Sequence, residues 1–413
     1  MRYNKQDEYL RDSSVHAVRR SHVTGGQLAL FLLAIIVAFI AGTRYDYVWS
    51  RLTNITSPAG VINLNSVQSL YKELARKYDG NIDKEKLIEG AKHGLVNAIG
   101  DPYTVYFTAK ETEEFNNDLE GTFDGIGAEL SKREARLTII ATIDNSPAST
   151  SGLRSGDVIL KVNDEDAVKW SVEEAVSKIR GPKGTSVKLL IARDKLNQPL
   201  EISVVRDTIK DPSVKREITT DGIGIMRISR FANGVDGLDG TSVLARQAAL
   251  YFKEQKVKGV IVDLRGNGGG YLDASAEIAS LWMHDKVVVT QRTAGKVVST
   301  TRTKGEALLE GIPTIVLVNE ASASASEILA AALQDNNAAH LVGEKTFGKG
   351  VVQEVLSLAD GGSLKVTVAS WYSPNGKNIS KEGITPSTVV SMTDEDYAVG
   401  RDPQKDKALE LLR

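Results

Sequence analysis

Three serines, Ser322, Ser324 and Ser326, alternate with alanines where a short apolar run meets an alanine-rich stretch. The run before them, PTIVLVN, is typical of a buried strand, and SEILAAALQD after them has the spacing of a helix. A hydroxyl at a helix start lies beside free backbone N–H groups and the positive end of the helix dipole, which stabilise an oxyanion. The segment therefore offers a candidate nucleophile, although Ser324 and Glu327 also match a capping box, which many proteins without catalysis contain.

A nucleophilic serine needs a base to accept its proton, and histidine is the usual one. The chain has five histidines, at His16, His22, His93, His284 and His340. None has the context of a Ser-His-Asp triad, and the sequence contains no G-x-S-x-G elbow. A histidine-dependent hydrolase that uses His340 stays open as an alternative.

A neutral lysine is another base that serine enzymes use, and the segment GEKTFGKGVVQ supplies one. Lys349 lies between two glycines and precedes two valines, surroundings that can remove water from an ammonium group. Its pKa would have to fall from ~10.4 to about 7 to 8, which burial can achieve. Gln353, four positions later, would hold the amine in place, whereas Lys345 is expected to stay charged and solvated.

Composition and one incomplete motif exclude several other functions. Gly343-x4-Gly348-Lys349 resembles a P-loop, but Gly350 replaces the hydroxyl residue that binds magnesium, and a strand-like stretch follows. The absence of cysteine excludes a thiol nucleophile and thiolate metal sites. A formal charge of −2 provides no positive field for nucleic acid. We therefore expect no nucleotide, metal, cofactor or nucleic-acid partner.

Two glycine-rich segments could present backbone N–H groups to an anion. DLRGNGGG, from Asp263 to Gly270, follows a predicted buried strand, KGVIV, and is either a plain turn or half of an oxyanion hole. The other half would be the N–H of Ala325. GIGAEL, from Gly125 to Leu130, is either a tight turn or a cradle for a carboxylate.

The region that follows GIGAEL is rich in short strands and resembles a PDZ domain. The resemblance is carried by SPASTSGLRSGDVILKVND and by SVEEAVSKIRGPKGTSVKLLIAR, which includes one predicted helix. It implies that the loop formed by Gly125, Ile126, Gly127 and Ala128 receives the terminal carboxylate of a peptide.

Three motifs in the second half of the chain, DLRGNGGG, NEASASASEILAAALQD and VGEKTFGKGVVQ, together resemble the carboxyl-terminal processing proteases. These tail-specific serine peptidases use a Ser-Lys dyad. The resemblance implies that Ser324 is the nucleophile, Lys349 the base and Gln353 the residue that orients the lysine, with Ser322 and Ser326 in support. It places the oxyanion glycine within Gly268–Gly270, where Gly270 is the preferred candidate and Gly269 the next.

The expected fold class is multidomain α/β and β, with a PDZ domain, a protease core like the ClpP/crotonase β/α spiral, and helical terminal segments. The uncharged stretch LALFLLAIIVAFIA predicts a membrane anchor. A cleaved signal peptide and a buried core helix are the alternatives. The expected segments are a cytoplasmic part at 1–27, a transmembrane anchor at 28–43, a linker at 44–65, a helical segment at 66–118, the PDZ domain at 119–207, the protease core at 208–392 and a helical tail at 393–413.

The sequence thus predicts a single-pass membrane serine endopeptidase with its catalytic region outside the cytoplasm. Its substrates would be proteins or peptides with free apolar C-termini. A homodimer stays open as well, because members of the carboxyl-terminal processing protease family assemble into oligomers. The alternative from another class is a membrane-tethered PDZ scaffold without catalytic activity.

Overall fold

The computed structural model describes residues 64–413, apart from 134, 135, 144, 195, 197 and 236. The predicted anchor at 28–43 and the segment at 1–27 lie outside the described residues, as does nearly all of the linker. No helix within the described part of the chain has both the length and the apolar character needed to span a bilayer.

The chain divides after Asp83 into two compact units. In the first unit the structure describes helix α1 (Asn65–Lys77), whose side chains are all exposed or half-buried. The second unit opens with α2 (Lys84–Asn97), β1 (Val105–Phe107) and α3 (Ala109–Glu120). Thr108 and Glu111 form a capping box at the start of α3, and Gly121 ends the helix in the left-handed conformation with φ 77°.

The PDZ-like region folds around its own core of aliphatic side chains. Its elements are β2 (Thr122–Gly125), β3 (Ala128–Arg133), β4 (Arg136–Thr142), α4 (Pro147–Thr150), β5 (Val158–Val162), β6 (Glu165–Asp166), α5 (Val172–Ile179), β7 (Ser186–Ala192), β8 (Leu200–Val205) and β9 (Asp207–Lys210). The main sheet has the order β3-β4-β5-β7-β8 with β6 beside β5, and β2 pairs with β9. The predicted helix is α5, which Ser171 caps.

The rest of the chain builds the layered α/β core. Its elements are β10 (Val214–Ile218), β11 (Ile223–Ile228), β12 (Gly234–Val235), β13 (Leu238–Asp239), α6 (Thr241–Glu254), β14 (Gly259–Asp263), α7 (Leu272–Ala279), β15 (Val287–Thr293), β16 (Lys296–Arg302), β17 (Thr314–Val318), α8 (Ala325–Asp335), β18 (His340–Gly343), β19 (Val351–Ser357), β20 (Ser363–Tyr372), β21 (Thr388–Val389), α9 (Asp394–Val399) and α10 (Pro403–Leu411).

The central sheet of this core has the order β10-β11-β14-β17-β18-β21. All its pairings are parallel except that of β10 with β11. Every residue of β14 and β17 is buried, as expected of parallel strands that are covered on both faces. These strands are the ones that KGVIVDL and PTIVLVN predict. Helices α6, α7 and α8 pack on one face, and Ala408 of α10 is buried on the other.

A second sheet combines β1, a strand within the expected helical segment 66–118, with strands of the expected protease core. Its order is β1-β20-β15-β16, and β19 pairs with β20. Strand β1 pairs with β20 through Val105 and Lys365, which are separated by most of the chain. Strand β19 begins two residues after Lys349, so this sheet fixes the segment that follows the candidate base.

Candidate active site

Ser324 stands at a sharp turn between β17 and α8. Its backbone has φ 54° and ψ −115°, a conformation that side-chain-bearing residues rarely adopt, and α8 begins at the next residue. Strain of this kind costs about 1–3 kcal/mol and persists only where the surroundings enforce it. Because the helix starts at Ala325, the hydroxyl lies at the positive end of the α8 dipole.

The two flanking serines hold the glycine-rich loop against this turn. The Ser322 hydroxyl donates to the carbonyl of Leu264 at 2.9 Å, and the Ser326 hydroxyl donates to that of Asn267 at 2.9 Å. Both serines are fully buried. Their hydroxyls therefore have structural partners, while Ser324 faces a cleft.

Glycines are required in this loop because its backbone touches the turn at Ser324. Gly269 has φ 106°, and a Cβ added there would lie 2.8 Å from the Cβ of Ser324 and 3.0 Å from the nitrogen of Ala325. The Gly269 N–H donates to Asn267 Oδ1 at 2.9 Å. No acceptor for the N–H of Gly270 or of Ala325 is found among residues 64–413 as far as they are described.

Lys349 lies in the loop before β19 and is half-buried. Burial lowers the pKa of its amine, and the positive charge of Lys365 lowers it further, against the opposing effect of Glu327 and Asp101. The ammonium lies 5.5 Å from the ring centroid of Tyr103. In the described part of the chain it forms no ion pair, whereas Lys345 is exposed as expected.

Glu327 links the turn at Ser324 to the loop that carries Lys349. Its Oε2 accepts hydrogen bonds from the backbone N–H groups of Ser324 and Lys349, each at 2.9 Å. Its Oε1 accepts from Thr346 Oγ1 at 2.6 Å and from the N–H of Gly348 at 2.8 Å. The capping-box pattern in the sequence identifies the first of these contacts, but the other three join α8 to a segment that is distant in sequence.

One cleft of about 720 Å³ brings the predicted catalytic residues together. Its walls include Ser324, Ala325, Lys349, Gln353 and all three glycines Gly268–Gly270. Its volume is in the range of ligand-binding sites. The Gln353 amide donates to the backbone carbonyl of Tyr103, the residue whose ring lies beside Lys349.

The histidines are engaged elsewhere. The His284 ring contacts the carbonyl of Gly305 at 3.0 Å, and the His340 ring contacts Thr388 Oγ1 at 2.9 Å. Neither residue lines the cleft that contains Ser324. The extended strand β19 after Lys349 also agrees with the exclusion of a P-loop, which requires a helix at that point.

The loop Gly125–Ala128 lies between β2 and β3 of the PDZ-like sheet. Its carbonyls point into the domain: that of Ile126 accepts from the N–H of Ala148 at 2.7 Å, and that of Gly127 accepts from the N–H of Ile143 at 2.9 Å. Gly127 has φ 74°, and a Cβ there would collide with Ser146. Over the described residues no acceptor is found for the N–H of Ile126 or Gly127.

Two neighbours of the site were not identified from the sequence. Tyr103 lies in the turn after α2, next to a Gly-Asp-Pro stretch that is typical of a helix end and carries no catalytic motif. Lys365 lies on β20 and lines the cleft, yet the strand SLKVTVASWY carries no catalytic motif. The approach of both residues depends on the long-range pairing of β1, β19 and β20, which no local pattern encodes.

Three family models match this chain. A family model described as Peptidase family S41 matches residues 222–390, a PDZ domain model matches 118–192, and one described as the activating protease CtpB N-terminal domain matches 50–112. The carboxy-terminal processing protease CtpA of Bacillus subtilis (strain 168) is 32% identical over 375 residues, which cover 89% of this chain and 78% of that protein.

A "Probable CtpA-like serine protease" of Staphylococcus aureus (strain MSSA476) is 32% identical over 384 residues, covering 92% of this chain and 75% of that protein. A crystal structure of a Bacteroides fragilis protein described as an S41 protease agrees in fold, with a TM-score of 0.58 and 17% identity over 76% of this chain and 87% of that one. The chain therefore belongs to the CtpA-like carboxy-terminal processing proteases of peptidase family S41, and it is a serine-type peptidase that carries a PDZ domain.

Proposed function

We propose that this chain is a membrane-anchored endopeptidase that binds the free, apolar C-terminus of a protein through its PDZ domain and cleaves peptide bonds with a Ser324–Lys349 dyad. The observation that carries the proposal is the cleft lined by both side chains, with a half-buried lysine that has no ion-pair partner among the described residues. An amine in such surroundings releases its proton more readily than one in water.

The chemistry follows from the positions of the proton acceptor and the backbone donors. The neutral amine of Lys349 takes the proton of Ser324 Oγ as that oxygen attacks the scissile carbonyl. The N–H groups of Gly270 and Ala325 then stabilise the oxyanion. Lys349 returns the proton to the leaving amine, and a water molecule that Lys349 activates hydrolyses the acyl-enzyme.

Gly269 and Gln353 contribute by positioning in this scheme. The N–H of Gly269 is already donated to Asn267, so its contribution is the close approach of the loop to Ser324. Gln353 holds the carbonyl of Tyr103, and the ring of that tyrosine packs beside the ammonium of Lys349. Gln353 thus orients the lysine through Tyr103.

Substrate recognition is assigned to the loop Gly125–Ala128 and to the groove between β3 and α5. The inward carbonyls of Ile126 and Gly127 leave the N–H groups of this loop for a terminal carboxylate. A peptide bound there would extend along β3, with its apolar last side chain between the strand and α5. The segment at 28–43 would anchor the chain, with the PDZ domain and protease core outside the cytoplasm.

A homodimer belongs to the same proposal, with the helical segment as the contact region. Apolar side chains along α1, including Val67 and Leu70, are 50% and 61% exposed. Burial of such side chains against a second copy would provide the driving force for association.

The test is peptidase activity of the detergent-solubilised full chain on casein, together with labelling of Ser324 by a fluorophosphonate probe. We expect Ser324→Ala and Lys349→Ala each to reduce casein cleavage at least about 10³-fold. Lys345→Ala, which removes an exposed lysine four residues away, is the matched control and should retain activity. Near wild-type cleavage by either dyad variant would contradict the mechanism, and a wild-type chain that binds peptides without cleaving casein would favour the scaffold alternative.

A further inference from the structure

Lys365 is a second lysine in the cleft that contains Ser324 and Lys349. It lies on β20, where it is paired in register with Val105 of β1 on one side and Val355 of β19 on the other. Its side chain is half-buried, and it forms no salt bridge in the part of the chain that the structure describes. A lysine at this depth without a carboxylate partner is unusual, because burial of an unpaired ammonium is costly.

Two aromatic rings compensate part of that cost. The Lys365 ammonium lies 5.2 Å from the ring centroid of Phe107 and 5.1 Å from that of Phe115. The two rings stack on each other, with centroids 5.1 Å apart and planes at 18°. Aromatic faces attract a cation without neutralising it, so the positive charge remains effective within the cleft.

We propose that Lys365 is a positioning residue for catalysis: its positive charge in the shared cleft keeps the amine of Lys349 unprotonated and able to accept the proton of Ser324. This inference rests on the proposed Ser324–Lys349 dyad. A like charge nearby disfavours the charged form of an amine, and it does so most strongly where water is excluded. Lys365 faces two aromatic rings and Lys349 only one, that of Tyr103, so these contacts favour the charged form of Lys365 more strongly. In this arrangement Lys349 is the amine that loses its proton first.

The other charged groups around the two lysines do not replace this effect. Asp101 and Glu327 act in the opposite direction, because their negative charge favours protonated Lys349. Two further charged groups in the cleft are already paired: Asp118 with Arg180 at 3.7 Å, and Arg230 with Asp211 at 3.0 Å. The remaining titratable groups in or beside the cleft are Tyr103, Tyr271 and the exposed Glu354.

The pKa of Lys349 is lowered first by burial and then by Lys365, which agrees with this arrangement. Burial also lowers the pKa of Lys365 itself. When Lys365 is replaced by an uncharged residue, the pKa of Lys349 should rise. Since kcat/KM increases as Lys349 loses its proton, the acidic limb of the pH profile should then move to higher pH.

The experiment compares the pH dependence of kcat/KM for the full chain and its variants, on a fluorogenic peptide that has a free apolar C-terminus and no ionisable side chains. For Lys365→Met we expect the acidic limb of the profile to move to higher pH by about one unit. At pH values below the limb, kcat/KM should therefore fall roughly tenfold, and at high pH it should recover toward the wild-type value. Lys365→Arg keeps the charge and should keep the wild-type limb. Lys345→Met, at an exposed position, is the matched control and should not shift it.

Three results would overturn the inference: an unchanged limb in Lys365→Met, the same shifted limb in Lys365→Arg, or a loss of activity in Lys365→Met that no pH restores. Lys365→Gln provides a second uncharged variant if the methionine variant does not fold, as judged by thermal unfolding. A change in KM for peptides with acidic residues, with the limb unmoved, would identify Lys365 as a substrate-binding residue instead. Failure of the dyad itself is seen separately, because Lys349→Ala would then remain active.

Discussion

At the scale of single residues, one buried carboxylate determines how Ser324 and Lys349 are held. Glu327 is fully buried and accepts hydrogen bonds at both oxygens, including those from the backbone N–H groups of Ser324 and Lys349. A carboxylate accepts without donating, so it matches a site that presents only donors. The strained backbone of Ser324 is thereby tied to the loop that carries Lys349.

The first prediction concerns the loss of this acceptor. In Glu327→Gln an amide N–H₂ group replaces one of the two carboxylate oxygens. This group cannot accept the hydrogen bonds that the oxygen accepted, so the buried N–H groups that donated to it would be left without partners. We expect the free energy of unfolding to fall by about 2–4 kcal/mol and kcat/KM to fall at least about 100-fold. Urea unfolding and casein cleavage measure the two effects.

Glu320→Gln is the control for that substitution, since Glu320 is an exposed glutamate seven residues earlier in the same turn region. It should unfold and cleave like the wild-type chain. Equal behaviour of the two variants would show that Glu327 does not hold the site together.

Gly269 and Gly268 allow a matched test of the loop geometry. Gly269→Ala would place a methyl group 2.8 Å from the Cβ of Ser324 and from the carbonyl oxygen of Ala323, at a residue with φ 106°. Nothing lies within 4 Å of a Cβ at Gly268. We expect the first substitution to cost about 3 kcal/mol in the free energy of unfolding and to abolish fluorophosphonate labelling, and the second to cost only about 0.5 kcal/mol. Similar costs for both would contradict the close approach of the loop to Ser324.

At the scale of elements, local patterns predict the parts that carry the chemistry. The buried strands β14 and β17 and the helix α8 are evident from apolar runs and helical spacing, and so is the position of Ser324 at the start of α8. The supporting position of Ser322 and Ser326 follows from the motif resemblance, and both hydroxyls bond to the loop 263–270.

What the sequence does not reveal at this scale is the second sheet. Strand β1 is three residues long, and its partner β20 lies more than 250 positions later in the chain. No turn signal or alternation connects two such segments, because the pairing arises from tertiary packing. Tyr103 and Lys365 depend on that pairing for their places beside Lys349, which is why no sequence motif indicates them.

At the scale of the whole molecule, the C-terminal tail is part of the protease core. The expected helical tail at 393–413 contains α9 and α10, and Ala408 of α10 is buried beneath the central sheet. Arg265, in the glycine motif, bonds to Asp402 at the start of α10 and to Gln404. Burial alone would lower the pKa of Arg265, but its hydrogen bonds to Asp263 and Asp402 outweigh burial and raise it.

We therefore expect Asp402→Asn to loosen both the tail and the glycine loop. The substitution removes the charge that pairs with Arg265, whereas the asparagine oxygen can still cap α10 at the N–H of Lys405. The free energy of unfolding should fall by about 1–3 kcal/mol, with reduced labelling of Ser324. Asp406→Asn, on the exposed side of α10, is the control. An unchanged unfolding curve for Asp402→Asn would mean that the tail does not support the loop.

The PDZ domain acts at the same scale, because it would select the chain end while a separate domain performs the cleavage. The loop Gly125–Ala128 can recognise a terminal carboxylate only through that group's negative charge and acceptor oxygens, so an amidated peptide should bind poorly. We expect at least about tenfold weaker binding of an amidated apolar peptide than of its free-acid form to the full chain carrying Ser324→Ala, measured by fluorescence anisotropy. Ser324→Ala prevents cleavage during the titration. A second control peptide keeps the free terminal carboxylate but has an acidic last residue, so its affinity shows whether binding also needs an apolar last side chain. Equal affinity for the free-acid and the amidated peptide would contradict the proposal that the PDZ domain recognises the chain end. The cleft around Ser324 would then be the site that selects substrates.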